Sequence, residues 1–140
     1  MKFIETEIPE VKKIVPKRFG DNRGYFSEVF KDAWFRENIA DVTFVQDNES
    51  LSAETGTIRG LHFQTNPFAQ GKLVRCIGGA LLDVAVDIRH GSPTFGKWVS
   101  SVLSAENGEQ LWGPRPAVPR PVRGSAPTPQ GVRGAGAQAE

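Results

Sequence analysis

The side chains able to do chemistry gather in Thr57-Ile-Arg59-Gly-Leu-His62-Phe-Gln64 and in the segment after it, where Lys72, Arg75 and Asp83 follow. A histidine with an ordinary pKa near about 6.5 can accept a proton at neutral pH, and a lysine can stabilise an oxyanion. If residues 57–64 form a strand, Arg59, Leu61 and Phe63 face one way while Ile58, Gly60, His62 and Gln64 face the other. An arginine, a histidine and a lysine on adjacent strands can then line one cavity. The same residues also suit quieter roles, since a single strand histidine is commonly structural or exposed and a lysine after Gly71 is commonly solvated.

Metal chemistry needs a different set. Metal sites in small β-barrels take two or three imidazoles and a carboxylate. This sequence has only His62 and His90, with no His-x-His pair, and His90 sits in the turn-like Arg89-His-Gly-Ser-Pro93. A histidine-rich metal site is not expected.

The elements that must hold these groups read mainly as short strands. Val11–Val15, Tyr25–Phe30, Val42–Gln46, Thr57–Gln64, Lys72–Ile77, Ala80–Ile88, Lys97–Leu103 and Glu109–Trp112 are β-prone and separated by turn residues. Gly78-Gly79 signals a hairpin between two of them, and Ala105-Glu-Asn-Gly108 between two more. One short helix is expected near residues 31–38, around Asp32-Ala-Trp-Phe-Arg-Glu37, with Asp32 as its cap. Strands at this spacing predict an all-β sandwich or barrel.

Composition narrows the class. The 140 residues are 39% hydrophobic and 24% charged, which suits about one globular domain. No apolar run reaches the roughly 20 residues of a membrane span. The start, Met1-Lys-Phe-Ile-Glu5, lacks a secretory h-region, and Cys76 stands alone, so a cytoplasmic location is expected. A formal charge of +1 is far from the basic excess of nucleic-acid-binding proteins, so neither nucleic acid nor membrane is an expected partner.

That average hides a break near Gly113. Residues 113–140 hold 6 of the 10 prolines, 5 of the 15 glycines and 4 arginines, with Glu140 as their only acid. The body, residues 1–112, is slightly acidic. Such a Pro/Gly/Arg/Ala-rich tail is expected to be disordered, because it buries too little apolar surface to offset the entropy of ordering. Its composition also matches the translation of a GC-rich gene in a shifted reading frame, joined to a domain cut short.

Several motifs occur in order: Phe19-Gly-Asp-Asn-Arg-Gly-Tyr-Phe26 with Glu28, Val45-Gln-Asp-Asn48-Glu-Ser50, Ile58-Arg-Gly-Leu-His-Phe-Gln64, Gln70-Gly-Lys-Leu-Val-Arg-Cys76 and Asp83-Val-Ala-Val-Asp-Ile-Arg89. From about residue 2 to Trp112 the chain resembles the dTDP-4-dehydrorhamnose 3,5-epimerase family. The resemblance implies an incomplete cupin-like jelly roll, a homodimer that exchanges N-terminal strands, and no cofactor. It implies conversion of dTDP-4-dehydro-6-deoxy-glucose to dTDP-4-dehydro-L-rhamnose, by proton abstraction α to the C4 ketone, in dTDP-L-rhamnose biosynthesis.

By the same resemblance His62 is the base and Lys72 lies near the enolate oxygen. Arg59 contacts the sugar nucleotide, and Arg23, Glu28, Gln46 and Asn48 complete the nucleotide and sugar set. Asp83 is a candidate to orient His62. Family members continue past the strand of Trp112 with a catalytic tyrosine acid, a tyrosine that stacks on thymine and an aspartate paired with the histidine. Residues 113–140 contain no His, Tyr or Asp, so impaired activity is expected of this chain. Other readings are a related dTDP-keto-sugar isomerase or single-site epimerase, and a non-catalytic sugar-nucleotide-binding remnant.

Overall fold

The computed structural model describes residues 1–115, 117–123 and 130–138. The strands are β1 (Lys2–Glu5), β2 (Lys12–Val15), β3 (Arg18–Asp21), β4 (Gly24–Ser27), β5 (Thr43–Ser52), β6 (Gly71–Cys76), β7 (Ala80–Asp87), β8 (Trp98–Ser104), β9 (Gln110–Gly113), β10 (Ala117–Arg123) and β11 (Gln130–Gln138). The helix α1 (Asp32–Asn38) completes the set. A six-stranded sheet runs β1-β2-β9-β6-β11-β5, a three-stranded sheet runs β10-β7-β8, and β3 and β4 pair as a separate two-stranded sheet.

The alternation of β7 explains how the two larger sheets close. Leu81, Asp83, Ala85 and Asp87 are buried in turn, while the residues between them are half-buried. Leu81 and Ala85 meet Val74 and Cys76 of β6, Leu103 of β8 and Leu111 of β9, with Ile8 and Val11 closing one end. This is the core of a β-sandwich, two inward faces interdigitating. A second cluster covers the other face of the large sheet, where Ile14, Leu73 and Trp112 pack under Phe35 of α1. The Phe35 and Trp112 rings meet edge to face at 5.1 Å, a favoured aromatic geometry.

Four local expectations change. The turn at Gly78-Gly79 does not make a hairpin: β6 and β7 belong to different sheets, so the turn carries the chain across the sandwich. Likewise β8 pairs with β7, while β9 pairs with β2 and β6. Residues 57–64 form no strand, because β6 already has β9 and β11 on its two edges and offers no free ladder. Asp32 is the first helical residue and not the cap; Lys31 holds that place without a side-chain bond, and Asp32 accepts instead from Arg36 at 2.9 Å.

The tail expected to be disordered contributes two strands. β10 pairs with β7, and β11 lies between β5 and β6. Sheet pairing asks only for backbone groups, and β10 is an edge strand. Pro119 and Pro121 thus lie on an edge strand, where missing backbone donors are tolerated best. Residues 116, 124–129 and 139–140, also covered by that expectation, lie outside the described residues.

Candidate active site

The register across three strands sets the polar groups. Gly136 of β11 stands opposite Lys72 on one side and Gln46 on the other. Gly134 likewise joins Val74 to Asn48. Residues in register share a face, so Lys72, Gln46 and Asn48 project from the face that carries Val74 and Cys76 into the sandwich. A bulge in β5 makes this possible: Ala137 pairs with Phe44 and Gly136 with Gln46, skipping Val45. Phe44 thereby joins the aromatic cluster on the outer face, and Gln46 turns inward.

Lys72 is half-buried, whereas Gln46 and Asn48, on the edge strand β5, stay open to solvent. Gln46 Nε2 donates to Gln70 Oε1 at 3.1 Å, tying the end of the 53–70 segment to β5. Arg59 ties its beginning: Nε donates to Ser52 Oγ and Nη2 to the Leu51 carbonyl, each at 3.2 Å. His62 sits on this irregular segment between the two ties and is exposed. Lys72, Gln46 and Asn48 are thus brought onto one face, with Arg59, outside any strand, bonded to the last residues of β5.

Arg23 and Glu28 are placed elsewhere. Arg23 lies in the turn of the separate β3–β4 sheet, its guanidinium paired with Asp21 at 2.7 Å, and Glu28 follows that hairpin, exposed. Asp83 does not orient His62, since neither carboxylate oxygen has a hydrogen-bond partner among the described residues.

Two carboxyls on the inward face of β7 have opposite surroundings. Asp87 accepts from Arg89 Nε at 2.9 Å and Nη2 at 2.8 Å, and from the hydroxyls of Ser92 and Thr94 at 2.6 Å each. The Arg89 guanidinium, aided by these hydroxyls, holds it well below the usual carboxylate range. Arg89 also reaches Glu10 at 2.7 Å, so the cluster locks the end of β7 to the N-terminal segment. Asp83 is fully buried, and burial pushes it up to about 7. Its register partner Ser101 is buried as well, and Asp83 Oδ1, Oδ2 and Ser101 Oγ all lack hydrogen-bond partners among the described residues.

Sequence reasoning missed Ser101, the Asp87 lock and the β5 bulge. The signal for both carboxyls was present, as acids at inward positions of an apolar strand. A cavity of about 490 Å³ beside β5 is lined by Phe30, Phe44, Leu73, Arg75 and Gln110 among others, and of the predicted site residues Gln46 alone lines it. Among the described residues no group of three or more His, Cys, Asp or Glu is placed to hold a metal ion, and no helix is long and apolar enough to cross a membrane.

The two facing sheets and the short helix α1 define a cupin-like β jelly roll. Residues 5–118 match the family model described as dTDP-4-dehydrorhamnose 3,5-epimerase, and the chain belongs to that family. The dTDP-4-dehydrorhamnose 3,5-epimerase of Sinorhizobium fredii is 70% identical over 114 residues, which are 81% of this chain and 58% of that protein. The Bacillus anthracis enzyme of the same name, solved with TDP and PPi bound, superposes with a TM-score of 0.92 at 42% identity, covering 99% of this chain and 78% of that one. A Legionella pneumophila epimerase in complex with dTDP-4-keto-L-rhamnose gives a TM-score of 0.90 at 42% identity, covering 99% and 72%. The chain therefore spans less than two thirds of the Sinorhizobium relative's length.

Proposed function

We propose that this chain binds a dTDP-4-dehydro-6-deoxy-sugar and labilises the protons beside its C4 ketone, the chemistry of 3,5-epimerisation. His62 removes a proton from C3 or C5, and the electron pair of the broken C–H bond moves onto the C4 oxygen. The Lys72 ammonium stabilises that oxygen, and a proton delivered from solvent to the opposite face inverts the carbon while His62 passes its own proton to solvent. No net oxidation occurs, so the reaction balances without a redox cofactor. Arg59, Gln46 and Asn48 hold the sugar nucleotide, an arginine suiting a diphosphate through paired hydrogen bonds.

The observation that carries this reading is the register row of Lys72 and Gln46 on the inward face, in a chain of this family. Arg23 and Glu28 serve the site of a second subunit, in a homodimer built on the β3–β4 hairpin. Support comes from the exposed Phe19, Tyr25 and Phe26 on that hairpin, which shares no sheet with the other described strands. The setting is cytoplasmic. Residues 1–112 are the partial epimerase domain, and residues 113–140 derive from a shifted reading frame, as their composition supports, although β10 and β11 pair with strands of that domain. Resequencing the gene tests the last point. Solvent deuterium entering the sugar at C3 and C5 tests the chemistry, and a chain that binds the nucleotide without exchange is a remnant.

A further inference from the structure

Three buried side-chain oxygens lack a hydrogen-bond partner among the described residues, and all three belong to one pair, Asp83 and Ser101. The two are directly opposed on β7 and β8. Asp83 is 0% exposed and Ser101 5%. An unpartnered buried polar group costs about 1–3 kcal/mol, so a pair of them at the centre of a sandwich is expensive unless something engages it. Four residues along the same strand, Asp87 shows how fully this fold can satisfy an inward carboxyl.

The direction of Asp83 matters more than its cost. β7 is the central strand of the smaller sheet, and Asp83 lies between Leu81 and Ala85, which pack against Val74 and Cys76 of β6. Val74 and Cys76 share their face with Lys72, Gln46 and Asn48. Asp83 and Ser101 therefore look across the sandwich toward the face that carries the proposed sugar-binding groups.

We propose that Asp83, with Ser101 beside it, is a further substrate-contacting residue: a neutral carboxyl that donates a hydrogen bond to an oxygen of the bound sugar from the sheet opposite Lys72. This inference rests on the epimerase reading and deepens it. Burial keeps the proton on the carboxyl near neutrality, which gives an otherwise acceptor-only side chain an O–H to donate. A carboxyl with a purely structural role has no reason to respond to the sugar.

The test uses the whole chain with Asp83→Asn, which keeps a donor, and Asp83→Leu, which keeps the branched shape and removes the polarity. Deuterium exchange into dTDP-4-dehydro-6-deoxy-glucose is expected to fall about 10²-fold in the Leu variant and only a few-fold in the Asn variant. The Leu variant is expected to melt higher than wild type, since it removes unpartnered polar atoms. Exchange at the wild-type rate by the Leu variant overturns the inference and leaves the epimerase reading standing. A readout independent of that variant's folding is the infrared carboxyl C=O band at about pH 6, identified by its loss in Asp83→Asn. A shift of that band when the sugar nucleotide binds to wild type supports the inference, and an unmoved band overturns it. A wild-type chain that binds no sugar nucleotide overturns both readings together.

Discussion

Gly71 lies directly beneath the Trp112 indole: a Cβ built on it falls 2.9 Å from Cζ2 and nearer still to Cη2. The glycine that precedes Lys72 is thus required by packing, because the ring is itself held by Phe35 and Phe44. Gly71→Ala is expected to destabilise the fold by about 1–3 kcal/mol, the usual cost of overpacking. Urea denaturation followed by Trp fluorescence checks this; an unchanged midpoint contradicts it.

Asp83 makes stability depend on pH in an unusual direction. Its carboxyl titrates near about 7 when folded, against roughly 3.9 in an unfolded chain. The folded state therefore holds an extra proton between these values, and the stability this contributes is full at low pH and lost as pH rises through about 7. From about pH 5 to about pH 8 the melting temperature is expected to fall, and Asp83→Asn is expected to flatten that fall. Melting curves across the range, followed by circular dichroism, decide it.

The lock at the end of β7 behaves oppositely. Asp87 is held ionised by Arg89 first and by Ser92 and Thr94 after it, so its contribution is present above the ordinary carboxylate range and lost as pH falls through its depressed folded value. Arg89→Met leaves that buried carboxylate without its cation and is expected to cost about 3–5 kcal/mol in chemical denaturation. Thr94→Val removes one hydroxyl donor and is expected to cost about 1–3 kcal/mol.

The hairpin of β3 and β4 presents Phe26 at 72% exposure and Tyr25 at 58%. If this surface joins two copies, wild type sediments as a dimer and Phe26→Asp as a monomer with the same circular dichroism spectrum. Equal sedimentation of the two proteins contradicts the role given to the hairpin.

Most strands were legible because one face of each is buried and alternation records it, as in Leu81, Asp83, Ala85 and Asp87. Pairing was not legible. Gly78-Gly79 has the residues of a hairpin turn, yet whether a tight turn joins neighbours or crosses a sandwich depends on which edges are already taken. Thr57–Gln64 alternates as a strand should, but β-propensity expresses itself only against a partner, and this segment is tied instead through Arg59 to Ser52 and Leu51. Lys72 and Gln46 stood out as candidate site residues through their motifs. Their common face was not, because it depends on Gly136, 64 residues from Lys72, and on a bulge at Val45. Ser101 was hidden for the same reason: nothing local marks a serine that stands opposite a buried acid.

Proton exchange between the sugar and solvent probes the proposed pairing of base and cation most directly. Wild type, His62→Asn and Lys72→Met are incubated with dTDP-4-dehydro-6-deoxy-glucose in deuterated water, and the C3 and C5 proton signals are followed by NMR. Wild type is expected to lose both signals, and each variant to lose them about 10²–10⁴-fold more slowly while keeping its fold. Loss at the wild-type rate in His62→Asn, or full retention of both signals by wild type with nucleotide bound, contradicts it.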